Sequence, residues 1–163
     1  MRAVDWLKRR FAATRPLLSR EPITYRPIGV VRNRLTASPA GGWQNVRSDL
    51  ILHDELELSL DDLDGFSHVI VLFHFHAIPN DVPRPLKQRV GGREVGLFAT
   101  RHQLRPNPIG IGIARIVHRR KNVLRVRGLD AINGTPVLDL KPYLPPYDAI
   151  PEAELPDWAV SGS

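Results

Sequence analysis

Two prolines separated by a single residue, in Arg105-Pro106-Asn107-Pro108, forbid a continuous helix through the middle of this 163-residue chain. Each ring locks φ near roughly −65°, removes a backbone donor and pushes the residue before it toward extended backbone. Residues 98–110 are therefore expected to form a stiff, shaped loop. Arg101 and Arg105 enter it, and Gly110 and Gly112 follow within an apolar run. A rigid cationic segment thus passes into a strand that another group can approach closely. Taken alone, Arg-Pro-Asn-Pro reads by default as a proline-pinned surface turn, since Pro and Asn are turn residues.

With 15 prolines and 12 glycines against 42% apolar residues, short strands joined by many turns are favoured over a helical bundle. The length suffices for one ordinary domain, which would bury roughly two-thirds of the surface its unfolded chain exposes. No cysteine is present, so disulfides, thiolate metal sites and cysteine nucleophiles are excluded, and a reducing cytoplasm is permitted. No internal repeat is visible.

Charge is unevenly distributed. Residues 1–20 carry a formal charge of +5, residues 21–147 another +5 and residues 148–163 carry −4, within a net +6. Residues 101–127 hold eight basic residues and no acid. A polyanion is a reasonable partner for such a segment, and a solvated basic surface is the alternative.

Val4, Leu7 and Phe11 recur near helical spacing beside Lys8-Arg9-Arg10, which predicts a basic amphipathic helix in an N-terminal extension over residues 1–22. It is too polar and interrupted to span a bilayer, and it lacks the apolar core of a secretory signal. The default reading is an appendage that packs on the domain or frays; an RNA contact, an interfacial anchor and a presequence stand open as functional uses. The compact domain is expected over residues 23–150, opening with a strand over 23–32 that Pro27 marks as an edge or a bulge. Gly41-Gly42-Trp43-Gln44 places an aromatic ring and an amide on a loop able to close over a flat ligand. Residues 50–58 read as a half-buried strand, 67–78 as the most apolar strand, 79–92 as a polar loop and 95–99 as a short strand. Residues 109–118 and 123–127 read as a hairpin, and 137–140 as the last strand. Residues 141–147 are expected to run extended, and 151–163 to form an acidic C-terminal strap.

His68, His74 and His76 share a face of the apolar strand by parity. At about 3.3 Å per residue His68 lies some 26 Å from His76, so the three cannot bind one metal. His74 and His76 could share one. With no obvious carboxylate nearby, hydrogen-bonded histidines at the mouth of a pocket are the expectation, and no metal is assigned.

Four motifs occur in an order more specific than any one of them. Gly65-Phe66-Ser67-His68 leads to Phe75-His76, and Phe98-Ala99-Thr100-Arg101 leads to Arg105-Pro106-Asn107-Pro108-Ile109-Gly110. Leu129-Asp130 leads to Asn133-Gly134-Thr135-Pro136-Val137, and Asp139-Leu140-Lys141-Pro142-Tyr143 follows. Over about residues 23–150 the chain resembles the TsaA-like (TrmO) family. The resemblance implies an all-β fold, a single small β-barrel with short helical pieces. It implies S-adenosyl-L-methionine as cofactor and methyl transfer to the exocyclic nitrogen of threonylcarbamoyladenosine beside the anticodon of tRNA. A homodimer, tRNA as partner, no membrane span and a cytoplasmic location are implied as well.

Carried over residue by residue, the resemblance assigns cofactor binding to Gln44, Phe75, His76, Arg101, Ile109, Arg127, Gly128, Leu129 and Asp130. His76 and Asp130 become the candidates for a catalytic base, if one is used. Arg105, Asn107, Lys141 and Tyr143 are the candidate contacts to substrate RNA. A sulfonium methyl is already electrophilic, so the protein's task is mainly to orient donor and acceptor in line. Arg101 sits poorly beside a sulfonium and is expected to reach the methionine carboxylate or an RNA phosphate. Asp130 suits ribose hydroxyls or the amino group. The chain departs from the family pattern at Ala77, where a glutamine is usual, at His102-Gln103 in place of Ser-Pro, at Gly112 in place of serine, and in the Gln44 loop, which lacks a following Pro-Gly. These departures bear on the substrate more than on the cofactor. Three readings stand beside this one: methylation of a small molecule, a non-catalytic basic β-barrel that binds RNA, and a metal-dependent enzyme built on His74 and His76.

Overall fold

The computed structural model describes residues 21–79 and 81–160; the basic helix expected at the N-terminus lies outside them. The strands are, in chain order, β1 (Gly29–Arg32), β2 (Arg47–Leu52), β3 (His68–His74), β4 (Lys87–Val90), β5 (Arg93–Gly96), β6 (Ile109–Arg120), β7 (Val123–Arg127) and β8 (Pro136–Pro142). Alternation builds the centre. In β3, Val69, Val71 and Phe73 turn inward and are buried, while His68, Ile70, Leu72 and His74 face outward and are half-exposed. β-Branched and aromatic residues at every second position fit a pleated surface with one dry side. The same pattern in β1, β2 and β7 lets six strands close into an antiparallel barrel in the order β1-β2-β7-β6-β3-β8. Closure leaves none of these six strands as a free edge.

The interior is filled by side chains such as Val31, Leu50, Leu124, Val126 and Val137, all fully buried, around the ring of Phe73. Gly110 is where that ring needs room. A Cβ there would enter the Phe73 ring from the neighbouring strand.

The two ends of the barrel differ. At one end the 3-10 segments Asp54–Leu60 and Leu63–Gly65 form a plug, with Leu60 buried beneath them. Arg119 ties the plug down: one Nη pairs with Asp61 at 2.7 Å and the other donates to the Glu57 carbonyl at 2.8 Å. The other end carries the loops that follow β1, β3 and β7 and the one that precedes β6.

Several local expectations are revised. Pro27 and its neighbours delay the first strand to Gly29. The Leu56/Leu58 alternation belongs to the 3-10 plug, in which Leu58 is exposed. The segment expected as a polar loop holds β4, which pairs with β5 through Gly91 and Gly92 at φ 55° and 80°, the positive pair that a tight hairpin demands. Its signal is weak because a two-stranded ribbon has little dry face to imprint on the sequence. After β5, residues Leu97–Ala99 turn as a 3-10 helix. Downstream, β8 runs on to Pro142, and Pro145–Asp148 and Asp157–Val160 form four-residue helices. Among the described residues no helix is long and apolar enough to cross a membrane.

Candidate active site

The loops at the unplugged end enclose a cavity of about 430 Å³, within the span of roughly 300–1,000 Å³ usual for small-molecule sites. Trp43, Phe75, Ile78 and Ile132 supply its apolar wall, and His76, Gln103, Asp130 and Thr135 its polar groups.

Each wall is held by a definite local device. Phe75 leaves the end of β3 with its N–H donating to the Pro108 carbonyl at 2.9 Å, so the proline-rich loop is fastened to the strand. Its ring meets Phe73 edge-on at 5.3 Å, a favourable aromatic geometry. The loop is also stiffened from within. Arg105 donates to the Thr100 carbonyl at 2.8 Å and lays its guanidinium 5.3 Å from the centre of the Phe98 ring; Thr100 Oγ1 donates to the Leu97 carbonyl at 2.7 Å. Asn33 clamps the opposite wall. Its Nδ2 donates to Ser48 Oγ at 3.0 Å and to the Ala131 carbonyl at 2.9 Å, and its Oδ1 accepts from the Leu35 N–H at 2.9 Å. These bonds satisfy buried Ser48 and Ala131 and hold the Asp130 segment against the loop after β1.

Asp130 reaches solvent through the cavity mouth, yet the surrounding wall withdraws enough water to push its carboxyl above the usual carboxylate range. Its backbone N–H and the charge of Arg101 pull in the opposite direction and only partly offset this. Gly112 keeps the space: a Cβ there would stand 2.9 Å from Asp130 Oδ1 and 2.8 Å from Leu129 Cδ1. His76 Nε2 lies over Gly134, 3.6 Å from where a Cβ would be.

Of the residues singled out in the sequence, Phe75, His76 and Asp130 meet in the cavity, and Arg101 is close enough to act on Asp130. Gln44 turns its amide against Gly42, and its neighbour Trp43 takes the place on the wall. Leu129 is fully buried and supports the turn from beneath. The Gly128 N–H donates to the Val46 carbonyl at 2.9 Å and pins that turn to the start of β2. Arg127 lies on the outer face of β7. Ile109 and Asn107 line a separate outer groove of about 720 Å³, together with His74 and Tyr25. Lys141 pairs with Asp139 at 2.7 Å, and Tyr143 meets His68 edge-on at 6.3 Å toward the plugged end. His74 and His76 therefore open onto different cavities, which separates the pair that a metal site would need. Among the described residues no group of three or more His, Cys, Asp or Glu is arranged to hold a metal. Gln103, Ile132 and Thr135 were not selected from the sequence. Gln103 is visible in the sequence only as a departure from the family pattern, Thr135 belongs to the Asn133-Gly134-Thr135-Pro136-Val137 motif, and Ile132 immediately precedes it.

Residues 33–149 match the family model described as the tRNA-methyltransferase O N-terminal domain. An S-adenosyl-L-methionine-binding protein of Archaeoglobus fulgidus is 34% identical over 133 residues, covering 79% of this chain and 95% of its own. The tRNA (adenine(37)-N6)-methyltransferase of Escherichia coli is 41% identical over 98 residues, covering 56% of this chain and 42% of its own. The crystal structure of TrmO from Pseudomonas aeruginosa superimposes with a TM-score of 0.65 at 31% identity, over 82% of this chain and 62% of that one. The chain thus spans less than two-thirds of the solved TrmO chain and under half of the E. coli enzyme. On the match of its barrel and its ordered motifs, it belongs to the TsaA-like tRNA-methyltransferase O family.

Proposed function

We propose that the barrel binds S-adenosyl-L-methionine in the cavity at its unplugged end and transfers the methyl group to N6 of adenine 37 in tRNA, with the threonylcarbamoyl-modified base as acceptor. The observation that carries this reading is a carboxylate, Asp130, set among aromatic walls beside a cationic, internally braced loop. The residues present fit the cofactor. Trp43 and Phe75 offer π faces suited to a flat base and to a sulfonium charge. Asp130 can accept from ribose hydroxyls or the amino group, and Arg101 can reach the methionine carboxylate or an RNA phosphate. The bound cofactor supplies an electrophilic methyl carbon, and its sulfur keeps the electron pair of the bond that breaks. The chain's share is to orient the attacking nitrogen and to give its proton a destination. His76 Nε2 and the Asp130 carboxylate are the groups on the cavity wall able to take it, and a raised pKa makes Asp130 the better base of its kind. Labelled methyl should pass from the cofactor to tRNA bearing the threonylcarbamoyl group and fail to reach an unmodified transcript. Equal labelling of both would remove the modified-base assignment; cofactor binding without RNA labelling would favour a small-molecule acceptor.

The same reading includes a homodimer. Ile109, Ile111 and Ile113 on β6 are 41%, 54% and 52% exposed, and Ile113 and Ile111 pair with Ile70 and Leu72 on β3. A contiguous apolar face of this kind is the usual mark of an interface. Light scattering at micromolar concentration should give a dimer mass that Ile111→Glu/Ile113→Glu reduces to a monomer. A monomer mass for the unaltered protein would sink the proposal.

A further inference from the structure

Strand register brings together charges that the sequence keeps far apart. Arg47 on β2 stands opposite Arg127 on β7, Arg127 opposite Arg115 on β6, and Arg115 opposite His68 on β3. The three arginines are exposed on the outer face. At roughly 4.8 Å per strand the three arginines span about 10 Å, and His68 extends the row to about 14 Å. Among the described residues none of these arginines has an ion pair. The next row on the same face is built differently: Arg32 stands opposite Asp49, Asp49 opposite Arg125, and Arg125 opposite His118. There Asp49 takes two bonds from Arg125, at 2.6 and 2.8 Å, and its carboxyl is held below the usual range by that guanidinium. One row holds a carboxylate that pairs with one of its two arginines, and its neighbour holds no acid at all. Like charges directly opposite one another on a sheet are destabilising.

The row also has a direction. Arg47 and Arg127 lie where β2 begins and β7 ends, close along the chain to Trp43 and Asp130, which line the cavity. The other end is His68, with the Tyr143 ring against it. We infer that the Arg47-Arg127-Arg115 row is a track for the phosphodiester backbone of the RNA substrate, leading away from the methyl-transfer cavity toward Tyr143. The inference rests on the proposed function for its choice of polyanion. Each arginine offers a planar fork suited to phosphate oxygens, and a phosphate bridging two neighbours relieves the repulsion the bare row carries. Tyr143, remote from the cavity, gains a role as a stacking or hydrogen-bonding contact at the end of the track.

The test compares three double variants with the unaltered protein in salt titrations of tRNA binding. Arg47→Ala/Arg115→Ala should weaken binding by about tenfold near physiological salt and lower the slope of log affinity against log salt by about 1.4 to 1.8, the loss of two phosphate contacts. Arg47→Lys/Arg115→Lys should keep most of the slope. Arg26→Ala/Arg120→Ala removes the same charge from exposed sites off the row and should change the slope little. Equal flattening by both alanine pairs would reduce the row to net charge and overturn the inference. An unchanged tRNA slope with lost binding to anionic vesicles would assign the row to a membrane surface instead. S-adenosyl-L-methionine calorimetry on the same samples keeps the two readings apart. Lost slope with intact cofactor binding supports both, and no cofactor binding by any sample defeats the methyltransferase reading while leaving the RNA track to be judged by its slope.

Discussion

Replacing Asp130 with asparagine should weaken S-adenosyl-L-methionine binding by about 10- to 100-fold, the worth of a charge-assisted hydrogen bond of roughly 1.5 to 3 kcal/mol, while making the folded protein more stable at neutral pH. The two effects come from one cause. The wall that shapes the cavity also strips water from the carboxylate and raises its pKa from the ordinary 3.8. A carboxyl whose folded pKa lies above its unfolded value penalises the ionised native state. The penalty is fully present above the raised pKa, shrinks as pH falls through it and vanishes below the unfolded value, where both states are protonated. Asparagine removes the penalty, so its gain in thermal midpoint should be present at pH 7 and fade on acidification. In the unaltered protein cofactor affinity should itself decline as pH falls through the raised pKa, because only the carboxylate accepts from hydroxyl or ammonium donors on both oxygens. Calorimetry and thermal melts at neutral pH and near pH 4 separate the outcomes. A folded Asp130→Asn protein with undiminished affinity would take Asp130 out of the cofactor site.

Gly110→Val should cost about 3 kcal/mol of stability or more, at the upper end of what overpacking does. Its Cβ would enter the ring of Phe73, which is 1% exposed, sits on the paired strand and already meets Phe75 edge-on. A ring buried in a close-packed interior has no empty rotamer to move into. Gly112→Ala, two residues on, would stand 2.8 Å from Leu129 Cδ1 and 2.9 Å from Asp130 Oδ1, with Phe73 Cε1 at an ordinary 3.7 Å; exposed Asp130 can turn aside, and buried Leu129 must shift its Cδ1 end. Its effect should fall on cofactor affinity, with a loss of stability smaller than that of Gly110→Val. Gly65→Ala, with nothing within 4 Å of its Cβ, serves as the neutral comparison. Denaturant midpoints in the order Gly65→Ala, Gly112→Ala, Gly110→Val would agree with this packing. A Gly110→Val protein as stable as the parent would contradict it.

The amino-acid order by itself determined the β class of this chain, and it did so through local pattern. Alternation in 67–78 gave β3, the apolar run broken by Arg119-Arg120-Lys121-Asn122 gave the β6–β7 hairpin, and the two prolines around Asn107 gave a rigid loop, because each of these is a property of a few consecutive residues. The motif order likewise carried the family, and with it Phe75, His76 and Asp130. Where the dry face was narrow the pattern faded: β4 and β5 have almost no core beneath them, and the leucines of the plug alternated like a strand. Closure of the barrel decided the rest. It put Trp43 in the wall and turned Gln44 away, set His74 and Ile109 outside while His76 faced in, and sent Tyr143 toward the plugged end. It also aligned Arg47, Arg115 and Arg127, which no local window contains together. Which residues stand opposite one another depends on register between strands distant in sequence, and periodicity along a single strand records only which face is dry.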